Sequence, residues 1–324
     1  MALPDDAEAL TERGKELLSG PAPDTYEAIQ LLNAAAHGTG GEAAAIVSVL
    51  AAAGAGTPQS WPNALDYLAR AAKLGWPPAQ AQLLILAADR ALADQVRSGQ
   101  APDDAWRRLR HSVDIEAWLA TPPSRALSES PSVQVFEGFV PEAFCDALVD
   151  MSRGGLDRAR VYDPWTGMAV SDAARTNSTL DVSIAESNLL QVILRARIAA
   201  AIGVSLVSLE PPSILHYAVG QAFAPHFDFL EPDERGLAAD LAGKGQRTAT
   251  VLVYLNDGYD GGETAFPKLG LRFKGGKGEA LWFANLDPAG APDRRTLHAG
   301  LAPTSGEKWL FSQWIRGGPR SASA

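Results

Sequence analysis

The chain is poor in the residues that mark several large classes of protein. Its 324 residues include a single cysteine, Cys145, which excludes an internal disulfide. No apolar run approaches the roughly 20 residues that cross a bilayer, so no membrane span is expected. Basic residues number 28 against 38 acidic ones, and the resulting net charge of −10 argues against a nucleic-acid partner.

The beginning of the chain lacks the features of a secretory signal. Residues 1–8 are acidic and contain neither a basic region nor an apolar core. Together with the single cysteine, this predicts a reducing cytoplasmic location, which would also keep iron ferrous. A hydrophobic content of 46% and a charged content of 20% fit an ordinary globular protein, and the length is sufficient for two domains.

Residues 1–120 are rich in alanine and leucine at helical spacing and contain an internal repeat. The pattern A-x-x-L-L-x-x-A-A, which starts at Ala28, recurs as A-x-x-Y-L-x-x-A-A from Ala64, a period of 36 residues. A period of this length is typical of helix-turn-helix solenoid units. The pattern resembles Sel1-like and tetratricopeptide repeats, and this resemblance implies a protein partner on the helical region.

The remainder of the chain differs in kind. Residues 121–132 are rich in proline and serine and predict a linker. Turn-separated β-type runs follow it and predict a double-stranded β-helix, the jelly roll of cupins, with two helices packed against one sheet. The runs lie at 133–140, 214–219, 248–256, 279–285 and 309–315, and the helices near 141–153 and 185–202.

The predicted fold class is therefore α+β. An α-helical repeat domain over residues 1–120 is followed by the linker, a jelly-roll domain over 133–318 and a disordered tail over 319–324.

Four residues of the second domain carry the most chemical information. His226 and Asp228 are two apart, and residues two apart on a strand point to the same side. With His298 from another strand they form the two-histidine, one-carboxylate set that holds non-haem Fe(II) and leaves coordination positions open. Lys308 adds a cation able to hold the far carboxylate of a dicarboxylic co-substrate. The set predicts an oxygenase that consumes 2-oxoglutarate.

Short sequence blocks accompany these residues in a fixed order. They are VFEGFV (135–140), RTNS (175–178), ILHYAVGQ (214–221), HFD (226–228), RTATVLVYLN (247–256), GGETAFP (261–267), LHAG (297–300) and GEKWLFSQWI (306–315). On these blocks, the chain from Val133 to Arg316 resembles the catalytic domain of prolyl 4-hydroxylases, a branch of the Fe(II)/2-oxoglutarate dioxygenases.

The resemblance implies roles for individual residues. His226, Asp228 and His298 would bind Fe(II), and Lys308 would pair with the C5 carboxylate of 2-oxoglutarate. Tyr217 and Thr264 would hydrogen-bond that carboxylate, although Tyr217 also fits a core aromatic and Thr264 fits a turn followed by a strand. The implied cofactors are Fe(II), 2-oxoglutarate as co-substrate, O2, and ascorbate as reductant.

The residues expected near the prime substrate leave alternatives open. Trp314 is either at the substrate mouth or in the core, and Arg247 either meets substrate or pairs with an acidic neighbour. Phe223 stands where the family often has tyrosine, and Arg316 stands where peptide hydroxylases often have histidine. Both departures fall where a peptide would make polar contacts.

Three functions remain open at this stage. The first is hydroxylation of a prolyl residue in a peptide or protein, with release of succinate and CO2. The second is hydroxylation of a free amino acid or small metabolite, which the departures at Phe223 and Arg316 favour. The third is a non-catalytic adaptor built on a degenerate barrel, and the complete ligand set argues against it.

Overall fold

The structure is a computed structural model that describes residues 4–19, 24–163, 168–170, 172–231 and 237–318. The chain divides into two compact units. The first contains Met1–Ala120 and Ser183–Ala200, and the second contains Thr121–Val182 and Ala201–Ala324. Within the described residues, no helix combines the length and apolar character needed to cross a membrane. The predicted tail, 319–324, lies outside the described residues.

The helices are α1 (Pro4–Ser19), α2 (Thr25–His37), α3 (Gly41–Ala53), α4 (Trp61–Lys73), α5 (Pro77–Leu86), α6 (Arg90–Arg97), α7 (Ala105–His111), α8 (Ile115–Leu119), α9 (Glu142–Ser152), α10 (Leu189–Ile202) and α11 (Leu237–Lys244).

The repeated pattern of the first unit lies on α2 and α4, each followed by a further helix. The repeated alanines are fully buried because their small side chains let helices approach closely; they are Ala28, Ala35, Ala36, Ala64, Ala71 and Ala72. Tyr67 on α4 donates a hydrogen bond to Asn33 Oδ1 on α2 at 2.8 Å. The helix pairs fit the predicted period, and their assignment to Sel1-like or tetratricopeptide repeats stays a prediction.

Helix α10 belongs to the first unit through Ala200. The backbone N–H of Leu189 donates to Gln82 Oε1 at 2.8 Å, and Arg197 donates to the carbonyl of Trp118 at 2.9 Å. The sequence predicts that a helix near 185–202 packs against a sheet of the oxygenase-like domain. These contacts join α10 to the helical unit, and its predicted packing against a sheet stays a prediction.

The strands are β1 (Ser124–Glu129), β2 (Ser132–Phe136), β3 (Asp157–Arg158), β4 (Val161–Asp163), β5 (Met168–Val170), β6 (Ser178–Asp181), β7 (Ser213–Tyr217), β8 (Phe223–His226), β9 (Arg247–Tyr254), β10 (Asp260–Gly261), β11 (Thr264–Phe266), β12 (Leu271–Phe273), β13 (Ala280–Ala284), β14 (His298–Gly300), β15 (Pro303–Ser305) and β16 (Lys308–Arg316).

Two large antiparallel sheets and two two-stranded pairs, β10–β15 and β4–β5, lie in the second unit. The larger has eight strands in the order β1-β2-β13-β9-β16-β7-β6-β3, and the smaller has four in the order β12-β11-β14-β8. The predicted α+β class and jelly-roll architecture are confirmed. The prediction that residues 121–132 form a linker is wrong in part, because β1 lies within this segment and pairs with β2 at the edge of the larger sheet.

The core of the second unit lies between the two sheets. Alternate residues of the central strands of the larger sheet point inward, and Phe266 of the smaller sheet packs edge-on against Phe283, with ring centroids 5.1 Å apart. The buried cluster contains Val133, Val135, Leu215, Tyr217, Leu252, Tyr254, Phe266, Leu281, Phe283 and Leu310. This core packs against the strands that carry the site residues.

The single thiol is predicted to be unreactive in the folded protein. Cys145 on α9 is fully buried, and burial raises the pKa of its thiol to about 12. We expect negligible labelling by a thiol-specific reagent at pH 8, and complete labelling of one thiol per chain after unfolding in guanidinium, measured by mass spectrometry. Rapid labelling of the native protein would show that α9 opens in solution.

Candidate active site

Two strands of the smaller sheet bring the predicted histidines together. Strands β8 and β14 pair antiparallel with His226 directly opposite His298, and Asp228 follows β8 by two residues. One ligand atom from each of the three side chains lies within 4.8 Å of the others. Asp228 and His298 are buried, while His226 is partly exposed. The predicted ligand set is therefore assembled as the sequence indicates.

Both imidazoles are oriented in the same way by the backbone. His226 Nδ1 lies 2.8 Å from the carbonyl oxygen of Ala224, and His298 Nδ1 lies 3.0 Å from that of Thr296. A hydrogen on Nδ1 donates to each carbonyl, which leaves the Nε2 lone pair free for a metal. Burial, reinforced by His298, lowers the pKa of His226 to about 3, so this ring is neutral at physiological pH, as metal binding requires.

A chain of hydrogen bonds holds the carboxylate. Thr250 Oγ1 donates to Asp228 Oδ2 at 2.6 Å, and Asn285 Nδ2 donates to Thr250 Oγ1 at 3.1 Å. Burial opposes ionisation of Asp228, but His298, His226 and the Thr250 hydrogen bond outweigh it and hold the pKa of Asp228 below its usual range. The carboxylate is therefore ionised and fixed in direction.

Lys308 places a buried ammonium in the same cavity. The side chain is 0% exposed, and Nζ donates a hydrogen bond to the carbonyl of Gly262 at 2.6 Å. Burial lowers the pKa of Lys308 to about 7. A buried cation with a neutral partner is costly to hold, and an anion in the cavity would compensate this cost.

Tyr217 and Thr264 line that cavity together with Lys308. The Lys308 ammonium lies 5.2 Å from the centre of the Tyr217 ring, and burial raises the pKa of Tyr217 to about 12, so its hydroxyl stays a donor. Thr264 Oγ1 lies 2.8 Å from the Tyr254 hydroxyl. A Cβ at Gly300 would come within 3.0 Å of the Tyr217 hydroxyl, so a side chain there would displace it.

The four residues expected near the prime substrate line a second, outer cavity of about 630 Å³. Arg247 donates to both carboxylate oxygens of Glu210, at 2.7 and 3.0 Å, and its guanidinium lies 3.5 Å from the Trp314 ring centre. The sequence predicts that Arg247 either contacts substrate or pairs with an acidic neighbour, and the structure shows the acidic neighbour, Glu210. Trp314 and Phe223 line both cavities.

Arg316 is likewise held within the protein. It hydrogen-bonds Glu210 and Asp240, and it donates to the carbonyl of Gly245 at 2.7 Å. A role for Arg316 in contacting substrate stays a prediction, since its donors are already used by these groups.

Sequence reasoning missed Thr250, Asn285 and Glu210. Thr250 had a detectable signal, because it alternates with Leu252 and Tyr254 on the inward face of β9 and is polar where its neighbours are not. Glu210 and Asn285 lie outside the recognised blocks and come into the site only through tertiary packing.

The profile of the 2OG-Fe(II) oxygenase superfamily matches residues 212–316. Prolyl 4-hydroxylase 5 of Arabidopsis thaliana is 30% identical over 219 residues, which cover 62% of this chain and 72% of the relative. This chain belongs to the prolyl 4-hydroxylase family of 2-oxoglutarate and Fe(II) oxygenases.

Two further matches extend the comparison. Prolyl 4-hydroxylase subunit alpha-1 of Rattus norvegicus is 32% identical over 187 residues, 58% of this chain and 35% of the relative. The chain thus spans about a third of that subunit's length. The viral collagen prolyl hydroxylase of Paramecium bursaria Chlorella virus-1, solved with 2OG, is 27% identical with a TM-score of 0.44, over 57% of this chain and 95% of that one.

Membership in this prolyl 4-hydroxylase family implies Fe(II), 2-oxoglutarate and O2, and the residues present fit them. Two imidazoles and one ionised carboxylate are the donors that non-haem Fe(II) takes. The Lys308 ammonium, paired with a single carbonyl among the described residues, is suited to the distal carboxylate of 2-oxoglutarate. Tyr217 and Thr264 carry hydroxyls in the same cavity.

The hydrogen bond from Thr250 is predicted to support iron binding. In Thr250→Val the Asp228 carboxylate loses a donor at 2.6 Å, and we expect Fe(II) affinity to fall about 10- to 100-fold, as for other groups that orient metal ligands. Anaerobic Fe(II) titration against a chelating indicator measures this. Thr250→Ser should bind nearly as the native protein does.

Thr248→Val is the matched control, because the Thr248 hydroxyl donates to the carbonyl of Ile315 and does not contact Asp228. Native affinity in Thr250→Val would mean that Asp228 is held adequately by the metal alone.

Proposed function

We propose that this protein is an Fe(II)- and 2-oxoglutarate-dependent dioxygenase that hydroxylates a prolyl residue of a peptide or protein. The observation that carries the proposal is the buried Lys308 ammonium in the same cavity as His226, Asp228 and His298. An iron site alone would fit many proteins, whereas an iron site with an adjacent buried cation fits a co-substrate that has a chelating end and a distal carboxylate.

The proposed reaction balances as follows. One atom of O2 enters the C–H bond of the substrate as a hydroxyl, and the other enters succinate as 2-oxoglutarate loses CO2. Iron supplies the oxidative chemistry when it is bound. The protein's own residues bind and orient the reactants, and they exclude water from the reacting centre.

Each named residue has a distinct task in this scheme. The His226 and His298 Nε2 atoms and the Asp228 carboxylate hold the metal. Lys308 binds the C5 carboxylate of 2-oxoglutarate, and the Tyr217 hydroxyl donates to that same carboxylate. The inward-facing leucines that line the cavity keep bulk water away; they are Leu215, Leu252 and Leu310.

A prolyl residue is the preferred substrate because the relatives that share this domain are named prolyl 4-hydroxylases. A free amino acid or small metabolite is the second candidate. Phe223 favours it, because the ring stacks on His226 and offers no hydroxyl to a peptide. Arg316 favours it too, because its donors already contact Glu210, Asp240 and Gly245.

Binding of 2-oxoglutarate is predicted to depend on pH through Lys308. Its pKa of about 7 in the empty cavity means that at higher pH the side chain must take up a proton before it can pair with a carboxylate. Affinity should therefore be constant below pH 7 and fall by up to about tenfold per pH unit above it. The measurement is anaerobic titration of the Fe(II) protein between pH 6 and 8.5, followed by the Fe(II)–2-oxoglutarate absorption.

Lys308→Arg supplies the control, because a guanidinium stays protonated over this range and should give a nearly flat profile. A flat profile for the native protein would contradict a depressed pKa at Lys308.

Turnover tests the function itself. The purified protein with Fe(II), ascorbate and 2-oxoglutarate is expected to form succinate, and a prolyl peptide should stimulate this more than free amino acids do. His226→Ala and His298→Ala should lose succinate formation because each removes an iron ligand, and Lys308→Met should retain iron while its KM for 2-oxoglutarate rises at least about 100-fold. Stimulation by a free amino acid alone would favour the second candidate.

Absence of both succinate and the anaerobic Fe(II)–2-oxoglutarate absorption in the native protein would reject the oxygenase proposal and support an adaptor.

A further inference from the structure

Arg175 lies beside the iron-binding strand. It precedes β6, and its backbone forms an antiparallel bridge with Phe223 at the start of β8. The flanking hydrogen bonds are Thr176 N–H to the carbonyl of Ala222 at 2.9 Å and Ala224 N–H to the carbonyl of Ala174 at 2.7 Å. The backbone around Arg175 is thus fixed against β8.

The Arg175 side chain forms the outer layer of a stack that ends at an iron ligand. Its guanidinium carbon lies 4.6 Å from the centre of the Phe223 ring. The Phe223 ring in turn stacks on His226, with centroids 3.5 Å apart and planes inclined by 14°. Arg175 therefore lines both the metal cavity and the outer cavity that opens from it.

Two of the other arginines of the outer cavity, Arg247 and Arg316, have acidic partners. Arg247 and Arg316 both pair with Glu210, and Arg316 also pairs with Asp240. Their charges are compensated within the protein, so neither leaves a free guanidinium for an anionic ligand.

Arg175 is held without such an ion pair among the described residues, although Asp181 and Asp228 interact with its charge from a longer distance. Its Nε donates to Asn177 Oδ1 and its Nη1 to the carbonyl of Arg160, both at 3.2 Å and both neutral acceptors. Among the residues that the structure describes, no carboxylate forms an ion pair with it. Burial lowers the pKa of Arg175, although an arginine remains charged at physiological pH.

Among the described residues, the acidic groups that share the outer cavity form no ion pair with Arg175. Asp228 belongs to the metal site, and Glu231 pairs with Arg294 at 2.8 Å. Asp172 accepts the N–H of Ala174 through one carboxylate oxygen. The cavity therefore presents a guanidinium to which an anionic ligand could supply a direct ion-pair partner.

We propose that Arg175 determines substrate specificity by binding a carboxylate of the prime substrate close to the carbon that is hydroxylated. The inference rests on the proposed hydroxylase function and adds the chemical class of its substrate. A guanidinium held over an aromatic ring by backbone-anchored residues has a restricted direction for its remaining donors, which suits two-point recognition of a carboxylate. The stack on His226 places that carboxylate beside the iron site.

The carboxylate has two sources. It is either an acidic side chain adjacent to the target proline of a peptide or the α-carboxylate of a free amino acid. Two matched pairs of probes separate them. The first pair is a capped proline peptide with glutamate on both sides of the proline and the same peptide with glutamine. The second pair is free L-proline and L-prolinamide.

The experiment compares KM and kcat for each probe in the native protein, Arg175→Met, Arg175→Lys and Arg160→Met. Methionine keeps an apolar contact with the Phe223 ring, and lysine keeps the charge without the planar fork. Arg160 is an exposed arginine that lines the same outer cavity, so its variant controls for general loss of positive charge. The anaerobic Fe(II)–2-oxoglutarate absorption is recorded for every variant.

We expect the native protein to favour the carboxylate member of one pair by about 10- to 100-fold in KM, the range of one charge-assisted hydrogen-bond pair. Arg175→Met should remove this preference, Arg175→Lys should keep part of it, and Arg160→Met should keep all of it. A preference within the peptide pair identifies an acidic side chain, and a preference within the free pair identifies an α-carboxylate.

Three results would overturn the inference. They are equal KM values within both pairs in the native protein, a preference that survives in Arg175→Met, and no turnover of any probe while the absorption is present. Loss of the absorption in the native protein would instead reject the proposed function. An intact absorption in Arg175→Met separates a loss of substrate recognition from a loss of folding or of the iron site.

Discussion

The site depends on the register between β8 and β14. Antiparallel pairing sets His226 opposite His298, and the alternation of side chains along each strand turns both imidazoles to one face of the smaller sheet. A slip of one residue would turn the whole of one strand to the opposite face and remove its ligand. Phe266 of the smaller sheet and Phe283 of the larger sheet pack against each other, and both rings lie against His298, which fixes the position of this histidine between the sheets.

Burial and hydrogen bonding together set the charge and orientation of the groups that line the cavity. Each imidazole gives its Nδ1 hydrogen to a carbonyl, and the carboxylate accepts from a threonine, so the metal-facing atoms are the ones left without protons. The Lys308 ammonium differs from the metal-binding groups, because it is buried and its charge is matched only by the neutral carbonyl of Gly262. Folding alone does not satisfy this group, and we infer that the co-substrate carboxylate does.

Several parts of this arrangement follow from the sequence alone, and for a common physical reason. His226, Asp228, His298 and Lys308 could be placed because strand periodicity determines which residues share a face, and the spacing of the blocks determines which strands carry them. Thr250 follows the same alternation, so strand periodicity also predicts that its side chain points into the cavity.

Tertiary contacts decided what the sequence left open. Residues 124–129 pair as β1 despite the proline- and serine-rich composition around them, because the edge of the larger sheet offers β2 as a partner. Helix α10 is apolar on most of its surface, so its sequence does not identify the partner it buries against. Glu210 is remote in sequence from both arginines that it pairs with.

The arginines of the outer cavity illustrate how context assigns roles to one residue type. Arg247 and Arg175 both lie over aromatic rings, Trp314 and Phe223, and a sequence cannot distinguish them. Glu210 engages Arg247 through both of its carboxylate oxygens, so this guanidinium stabilises the wall of the cavity. Within the described part of the chain, the hydrogen bonds of Arg175 go to neutral acceptors, so the same chemical group remains able to bind an anion. The position of one glutamate thus separates a structural arginine from one available to substrate, and it does so within a single cavity.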